Sequence, residues 1–449
     1  MVARKSKASP KPKAAKSKTK SKPAPKVTRT KNAPSAGRAA STPRGTRSEA
    51  APKKKRVSKE KVAATAKKAP LAKGKSAAAV KKATAPEPKP AVKSTVPPAK
   101  AQASRARSSV AASVAPVASE SGGRRQGGVS LKFLVSVAQA IKDAVAPLAR
   151  SIKGREIVDE SPSGDVTFQI DRVAERTLLA HLKSAGLPLS YYSEHEGYST
   201  FSSKPPKNLL IVDPIDGTRA AKSGFEGCVI AVASTHVIER PTMADLDCAC
   251  VMELLGDRIF LAERGKGARY YVDGHLKRPK LSTNTDIESM SWSMTIPARP
   301  AELIFPTAAR IIDLSSLKGG FFACNSTSYS LTRLITNQLD ACVDVANRYY
   351  RDIPDRVKDY FLNAGRGKII GAAPYDIAAG LLVAEEAGCI VTDAYGKRFD
   401  DLLLLDSSPT NHQSVIAASN KALHEKLLGF FDTRIKQYEA LLSHHKTGK

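Results

Sequence analysis

The stretch that most constrains the fold is residues 209–218, which reads LLIVDPIDGT. Its four uninterrupted aliphatic residues predict a strand that is covered on both faces, as in layered α/β proteins. Pro214 has no N–H group to donate to a sheet, so it predicts the end of the ladder. Asp213 and Asp216 would then leave the sheet together at the strand terminus.

This pair of acids suggests a metal site. Two carboxylates this close repel each other unless a cation lies between them, and Mg2+ prefers such oxygen ligands. Gly217 and Thr218 add backbone N–H groups where a helix could begin, which suits an anion such as phosphate. The alternative is a plain tight turn, because Asp, Pro and Gly are also ordinary turn residues.

The net charge of the chain is confined to its N-terminal region. Residues 1–130 contain 34 Lys and Arg but only four acids, a net charge of +30. Subtraction from the totals of 72 basic and 42 acidic residues leaves 38 of each in the remainder. The first region also lacks Phe, Trp, Tyr and Cys, so it cannot bury enough apolar surface to offset its ordering entropy. We expect residues 1–128 to form a disordered Lys/Ala/Pro-rich tail.

The tail indicates a nucleic-acid partner. Its Lys, Ala, Pro and Ser pattern, for example KPKAAKSKTKSKPAPK, resembles the terminal domains of linker histones. Such a polycation binds DNA or RNA without sequence preference, by neutralising phosphates and releasing counterions. Residues 52–57, PKKKRV, also resemble a nuclear import signal, although chance explains a Lys run in so basic a region.

The expected location is the cytoplasm, with nucleoid or nuclear association through the tail as an alternative. The N-terminus has no apolar signal region, and no run of 18 apolar residues is present, so no membrane partner is expected. The six Cys are scattered without zinc-site spacing, which predicts reduced core thiols.

From Val129 the sequence predicts a folded region in two halves, 129–285 and 286–449. The first half opens with a helix over 131–148 and a second helix around 173–182, and continues as a strand-rich meander over 226–272. In the second half the pattern predicts a strand at 289–294, helices at 301–317 and 327–337, a strand at 340–345, and a surface insertion over 347–368. A strong helix pattern then runs from Pro374 to Gly388. Asp376 lies in its first turn, where helix capping is the alternative to a functional role.

Seven segments, in order, resemble the inositol monophosphatase superfamily of Mg2+-dependent phosphatases. They are SPSGDVTFQIDRVAE, YSEHEG, VDPIDGT, ERGKGARYYVDG, LDACVDV, PYDIAAGLLVAEEAG and VIAASNKAL. The resemblance covers residues 130–430 and is strongest to the branch with combined inositol monophosphatase and fructose-1,6-bisphosphatase activity. It implies a layered αβαβα fold, an α/β sugar-phosphatase architecture, and a homodimer.

The resemblance also implies the site. Glu194, Asp213 and the carbonyl of Ile215 would hold the first Mg2+, whereas Asp213, Asp216 and Asp376 would hold the second. Asp165 and Thr218 would orient the attacking water, and Asp165 would also serve a weak third metal. The substrate would be held by the amides of Gly217 and Thr218, by Arg219 and by Asp344.

Hydrolysis of a phosphate monoester requires this kind of set, because it needs a nucleophile at neutral pH and neutralisation of phosphoryl and alkoxide charge. The chain departs from its relatives at His195, where many have a second Glu, and Glu196 is an alternative for that role. The expected substrate is an inositol monophosphate or a related sugar phosphate. Fructose 1,6-bisphosphate and 3'-phosphoadenosine 5'-phosphate are alternatives, as is a mainly nucleic-acid-associated protein.

Overall fold

The computed structural model describes residues 129–160 and 166–444, with side chains to residue 442. The predicted tail, residues 1–128, lies outside the described residues. The helices are α1 Leu131–Val145, α2 Gln169–Ala185, α3 Thr218–Ser223, α4 Ala301–Ser315, α5 Thr327–Ile335, α6 Ala346–Asp352, α7 Pro354–Ala364, α8 Pro374–Glu386 and α9 Lys421–His444. The strands are β1 Ile157–Glu160, β2 Val166–Phe168, β3 Leu189–Ser193, β4 Gly197–Thr200, β5 Asn208–Asp216, β6 Val229–Thr235, β7 Cys248–Glu253, β8 Ile259–Glu263, β9 Gly267–Val272, β10 His275–Lys277, β11 Ser291–Thr295, β12 Gly320–Cys324, β13 Ala341–Asp344, β14 Ile390–Thr392 and β15 Val415–Ala418.

The first half is built on an eight-stranded sheet in the order β10-β9-β8-β7-β6-β5-β3-β4. All of its pairs are antiparallel except β3 with β5, which are parallel. One face packs on α1 and α2, because both helices present an apolar stripe, for example Leu134, Val137 and Ile141 on α1. The whole of β5 is buried, as the aliphatic run predicts.

The second half is built on a five-stranded sheet in the order β12-β11-β13-β15-β14. Its outer face carries a core with α4, α6, α7 and α9, in which Trp292 and Phe431 are fully buried. Its inner face shares a core with α5, α8 and the eight-stranded sheet. The layers therefore run helix, sheet, helix, sheet, helix, and the expected αβαβα architecture is confirmed. The expected boundary at residue 285 falls between the strands of the two sheets.

Helices α5 and α8 form the middle layer and pack very closely. A Cβ at Gly380 of α8 would lie 2.8 Å from the Cα of Ser328 on α5, so only glycine permits this approach. The hydroxyl of Ser328 donates to the carbonyl of Asp376 at 2.8 Å, which fixes the starts of the two helices beside each other. This contact brings two separate parts of the second half to one point.

The prediction that Pro214 ends the β5 ladder was wrong. Pairing with β6 continues to Asp216, which lies opposite Val229, after an irregularity between Asp213 and Asp216. Pro214 lies inside that irregularity, where a missing N–H group costs no ladder hydrogen bond, so the strand passes through it. Pairing with β3, in contrast, does stop at Val212.

The expected surface insertion over 347–368 also differs from the structure. This segment forms most of α6 and all of α7, whose inner sides are buried through Tyr349, Val357 and Phe361. Its polar composition obscured the pattern, because the two helices are short and Arg348 is itself buried and ion-paired with Asp432. Among the helices of residues 129–160 and 166–444, none combines the length and apolarity needed to cross a bilayer.

Candidate active site

A polar cleft opens at the end of β5, with residues of both sheets and of the middle helical layer in its walls. It encloses about 590 Å³, including its open mouth. Its acidic side is formed by Glu194, Asp213, Asp216 and Asp376, which come from three separate stretches of sequence. The rest of the lining consists of Ile215, Gly217, Thr218, Arg219, Thr295, Pro297, Arg299, Asn325, Thr327, Gly371 and Tyr375. The structure thus brings together the residues predicted to hold the first two metal ions.

The irregularity in β5 explains how two acids three positions apart face the same cleft. In a regular strand, residues separated by an odd number of positions point to opposite faces. Between the pairs Asp213–Ala231 and Asp216–Val229, however, β5 advances three residues while β6 advances two. This extra residue is a β-bulge, and it turns both carboxylates to the same side.

The N-terminus of α5 holds Asp216. The backbone N–H of Ser328 donates to Asp216 Oδ2 at 2.8 Å, and Ser326 and Thr327 add further hydrogen bonds. Ser326 is the N-cap of α5, so its side chain also accepts the N–H of Tyr329. Sequence reasoning predicted this helix but not its contact with the site; the signal was the polar run Ser326-Thr327-Ser328 at the start of the pattern.

Burial raises the free energy of ionising the acids on this side of the cleft. Asp213 is 2% exposed and Asp216 5% exposed. The pKa of Asp213 is raised well above its usual value by burial and by the charges of Asp216, Glu194 and Asp376. Burial also raises the pKa of Asp216 to about 6, against the lowering effect of its hydrogen bonds. A cluster of this kind stays ionised at neutral pH only if cations compensate it.

Asp376 serves as both a cap and a cleft residue. Its Oδ2 accepts the N–H of Ala373 at 2.7 Å, which satisfies an otherwise unpaired group at the start of α8. The same side chain lines the cleft beside Asp213. The two interpretations left open by the sequence are therefore compatible, because one oxygen of a carboxylate can cap while the other remains a ligand.

The donor set fits a hard divalent cation, since it consists of carboxylates and the carbonyl of Ile215. Within the part of the chain that the structure describes, no three His, Cys, Asp or Glu side chains are already gathered at metal-holding spacing. The fit therefore depends on the shared cleft, the burial and the mutual repulsion of the four acids.

Thr218 makes a contact that sequence reasoning missed. Its hydroxyl lies 2.9 Å from Asp171 Oδ1 and 3.1 Å from the carbonyl of Ile215. A hydroxyl has one proton, and the charged acceptor gives the stronger hydrogen bond. Asp171 is itself fixed, because its Oδ2 accepts the N–H of Phe168 at 2.7 Å. The only sequence signal was an acid at the third position of α2, which is also the pattern of a helix cap.

Asp165, the acid predicted to act with Thr218, lies outside the described residues. Neither candidate for the second-Glu role lines the acidic cleft: His195 and Glu196 line an adjacent pocket of the first half together with Glu175. His195 Nε2 is 3.7 Å from Glu194 Oε2, and its Nδ1 is 3.3 Å from the hydroxyl of Thr167.

The two predicted substrate contacts have different environments. Arg219 lines the cleft, as expected. Asp344 lies behind the wall, where it is paired with Arg299, whose Nη2 is 2.8 Å from Asp344 Oδ2. A carboxylate engaged in a buried ion pair is not available to read substrate hydroxyls, so the prediction for Asp344 does not match its position. Arg299, which the sequence analysis did not select, lines the cleft instead.

The five alternating layers and the acidic cleft between them define a class of layered α/β hydrolases. The sequence profile described as "Inositol monophosphatase family" matches residues 130–436. The chain therefore belongs to the inositol monophosphatase family, whose members use divalent metal ions, and it is a phosphoric monoester hydrolase.

Several relatives are similar at low identity. The fructose-1,6-bisphosphatase/inositol-1-monophosphatase of Methanothermobacter thermautotrophicus is 27% identical over 300 residues, which cover 66% of this chain and 93% of the relative. The bifunctional NADP phosphatase/NAD kinase of Methanococcus maripaludis is 25% identical over 315 residues, 68% of this chain. The match spans only about half of that relative, 49% of its length.

Solved structures show the same kind of similarity. The extragenic suppressor protein suhB of Bartonella henselae matches 67% of this chain and 97% of its own, with 18% identity and a TM-score of 0.49. A hypothetical protein of Pyrococcus horikoshii, described as similar to inositol-1 monophosphatase, matches 66% of this chain and 96% of its own, with 24% identity and a TM-score of 0.47.

Proposed function

We propose that the protein is a Mg2+-dependent phosphomonoesterase that hydrolyses an inositol monophosphate or a related sugar phosphate. The observation that carries this proposal is the convergence of four acids on one cleft, with Asp213 and Asp216 almost completely buried. Family membership supports it independently. Burial and the mutual repulsion of these acids raise the pKa of Asp213, and divalent cations would relieve both effects.

We assign the ligands as the sequence resemblance implies. Glu194, Asp213 and the carbonyl of Ile215 would hold one Mg2+, and Asp213, Asp216 and Asp376 a second. Bound there, the ions would lower the pKa of a water molecule and neutralise charge on the phosphate ester. A weak third ion at Asp165 stays a prediction, because Asp165 lies outside the described residues.

Thr218 and Asp171 would orient the attacking water. Asp171 Oδ1 accepts a hydrogen bond from the hydroxyl of Thr218, a cleft residue, so the Thr218 oxygen keeps its lone pairs for accepting another. A water molecule that donates a hydrogen bond to this oxygen would be oriented for attack on the phosphate. Its proton would pass to the Thr218 hydroxyl while the hydroxyl proton passes to the carboxylate of Asp171. Asp171 is 2% exposed, and its side chain caps the start of α2 by accepting the N–H of Phe168. The Thr218–Asp171 pair is therefore held in place before substrate binds.

The phosphate would also meet the start of α3. We propose that the amides of Gly217 and Thr218 donate to the phosphoryl oxygens and that Arg219 contacts the substrate. Gly217 has φ +97°, a conformation that L-residues with a Cβ rarely adopt. This conformation sets the sharp turn from β5 into the helix.

A phosphate-release assay tests the function. The substrates are inositol 1-phosphate, fructose 1,6-bisphosphate and 3'-phosphoadenosine 5'-phosphate, each with Mg2+ and with excess chelator. We expect Mg2+-dependent release from at least one sugar phosphate and none from Asp213→Asn protein. Phosphate release that persists in Asp213→Asn protein, or that is unchanged by excess chelator, would contradict the proposed mechanism.

A second function is favoured by the charge of the tail. We propose that residues 1–128 bind nucleic acid without sequence preference, because they carry the whole net charge of +30. The full chain should bind duplex DNA with an affinity that falls steeply with salt, whereas a chain that begins at residue 129 should not bind. Equal affinity of the two chains would show that the tail is not responsible.

A further inference from the structure

We propose that Glu253 and Arg333 are positioning residues for the second metal ion, because their ion pair fixes the helix that holds Asp216. The inference rests on the proposed phosphatase function and extends it to two residues that are not among those lining the cleft. It follows from the way α5 lies across the ends of three neighbouring strands.

Asp216 and Glu253 lie two strands apart at the same end of the eight-stranded sheet. Asp216 of β5 is opposite Val229 of β6, and Val229 is opposite Glu253 of β7. Residues opposite one another in neighbouring strands project from the same face of a sheet. Val229 belongs to the core that Leu331 and Leu334 of α5 share, so α5 covers this face. Neighbouring strands are about 4.8 Å apart, so the backbones of the two acids are about 10 Å apart.

Helix α5 contacts both of these acids. At its N-terminus the N–H of Ser328 donates to Asp216 Oδ2 at 2.8 Å. One and a half turns later, Arg333 Nη2 lies 2.7 Å from Glu253 Oε1. The rise of an α-helix puts these two helix positions about 7.5 Å apart along the axis, close to the separation of the two strand positions. The helix is therefore fixed to the sheet at two points, one of which is a predicted metal ligand.

The second of these contacts is a buried ion pair. The side chains of Arg333 and Glu253 are 4% and 5% exposed. Arg258 Nη1 also lies 3.1 Å from Glu253 Oε1, and Arg333 Nη1 donates to Gln338 Oε1 at 3.2 Å. The guanidinium of Arg333 lies over the ring of Tyr329, 4.4 Å from its centroid. A different arrangement would leave a buried charge without its partner, so the pair holds this part of α5 firmly.

The position of Asp216 depends on α5, because its hydrogen-bond donors come from the start of that helix. Residues 326–328 all donate to its carboxylate. Partners that orient a metal ligand matter for affinity, and their loss typically weakens metal binding about tenfold to a hundredfold. Loss of the Arg333–Glu253 contact should therefore loosen the start of α5 and weaken the ion that Asp216 holds.

The test uses the double variant Arg333→Met/Glu253→Gln, because Arg333→Met alone would leave Glu253 with one partner fewer in a buried position. Mg2+ is titrated into the full chain in the presence of inorganic phosphate, the product of the proposed reaction, and isothermal titration calorimetry gives the affinity. We expect the Mg2+ affinity of the double variant to fall about tenfold or more.

Phosphate release from inositol 1-phosphate gives a second measurement. The Mg2+ concentration for half-maximal kcat should rise by the same factor in the double variant. The KM for the ester at saturating Mg2+ should stay at the wild-type value, because neither residue lines the cleft. Glu253→Gln alone is the milder variant: it keeps the volume of the side chain and an oxygen for both arginines. It should lower the Mg2+ affinity in the same direction by a smaller factor, also if the double variant does not fold.

The matched control is Arg348→Met/Asp432→Asn, which removes an ion pair between α6 and α9. Neither helix carries a predicted metal ligand, so the Mg2+ affinity of this variant should stay at the wild-type value even if its melting temperature falls. The comparison separates an effect on the metal site from a general loss of stability.

Wild-type Mg2+ affinity in both Glu253 variants would overturn the inference and leave a purely structural ion pair. An equal loss of Mg2+ affinity in the control would also overturn it. If the wild-type chain with Mg2+ releases no phosphate from inositol 1-phosphate or fructose 1,6-bisphosphate, the proposed function itself fails. The two failures are therefore distinguishable.

Discussion

The hydroxyl of Thr218 lies 2.9 Å from Asp171 Oδ1, although the two residues are 47 positions apart in the chain. Thr218 begins α3 directly after the acidic end of β5, and Asp171 lies in the first turn of α2. The contact therefore joins an outer helix to the centre of the cleft. In the proposed mechanism, it would give the site a fixed acceptor for the proton of a water molecule.

Asp171→Asn should lower kcat by about 10²–10³, because an amide oxygen is a much weaker proton acceptor than a carboxylate. Thr218→Val should cause a similar loss, whereas Thr218→Ser, which keeps the hydroxyl, should retain most activity. Phosphate release under saturating substrate and Mg2+ measures all three. Thr177→Val on α2, whose hydroxyl bonds only within its helix to Val173, is the control. Wild-type kcat in Asp171→Asn protein would exclude this role.

Asp213→Asn should raise the melting temperature of the metal-free protein. Asp213 destabilises the metal-free fold at neutral pH because burial and the neighbouring acids raise its pKa, and the variant removes this cost. The N–H of Ile215, 3.0 Å from Asp213 Oδ1, keeps an oxygen acceptor in the variant. Relief of about 1 kcal/mol corresponds to about 1–2 °C in a folded region of this size. Saturating Mg2+ should stabilise the wild-type protein by about 2–3 kcal/mol and the variant by much less.

Thermal unfolding with and without Mg2+ measures both effects. Glu425→Gln, an exposed acid of α9, serves as the control and should show the wild-type response to Mg2+. An equal Mg2+ shift in Asp213→Asn protein would place the ion elsewhere.

The sequence correctly predicted the features that depend on local periodicity, namely which faces of the helices and strands are buried. The apolar stripe of α1 and the aliphatic run of β5 determine which faces are buried, and the layered order follows from them. Asp213 was selected from the strand pattern and Asp376 from the family resemblance, and both line the cleft.

The features that the sequence did not predict depend on contacts between segments that are distant in the chain. Asp171 has the local signature of a helix cap. Its second contact, with the hydroxyl of Thr218, forms only because the fold places α3 beside α2. Arg299 and Asp344 are 45 residues apart, so their ion pair is set by the positions of β11 and β13 in one sheet. The same holds for the bulge at Pro214, because a bulge depends on the register of the partner strand.

Gly217→Ala should disrupt the turn between β5 and α3. Gly217 has φ +97°, and a Cβ there would lie 2.6 Å from the carbonyl oxygen of Gly227. Backbone strain plus this clash should cost more than about 2 kcal/mol of unfolding free energy and at least tenfold in kcat/KM. Urea denaturation and phosphate release measure the two.

Gly197→Ala is the matched control for the turn. Gly197 also has a positive φ, +62°, but no atom lies within 4 Å of the added Cβ. This variant should lose only about 1 kcal/mol, the cost of the backbone conformation. Equal losses in the two variants would show that the contact with Gly227 is unimportant.

Glu175 should make stability depend on pH. It is 4% exposed, and burial raises its pKa to about 7 against the lowering effect of its hydrogen bond from Ser193. Because the folded-state pKa lies above the unfolded value of 4.5, the folded state binds the proton more tightly. The contribution is therefore fully present below pH 4.5 and is lost as the pH rises to about 7, up to about 3 kcal/mol in all.

Glu175→Gln removes this titration and keeps an oxygen for the Ser193 hydroxyl. The melting temperature of the variant minus that of the wild type should be near zero or negative at pH 4.5 and should increase steadily up to pH 8. Glu288→Gln, an exposed acid paired with Lys318, controls for a general effect of losing one carboxylate. Because only a buried group gains a proton on folding in this range, a difference that stays constant with pH would show that Glu175 is ionised in the folded protein throughout.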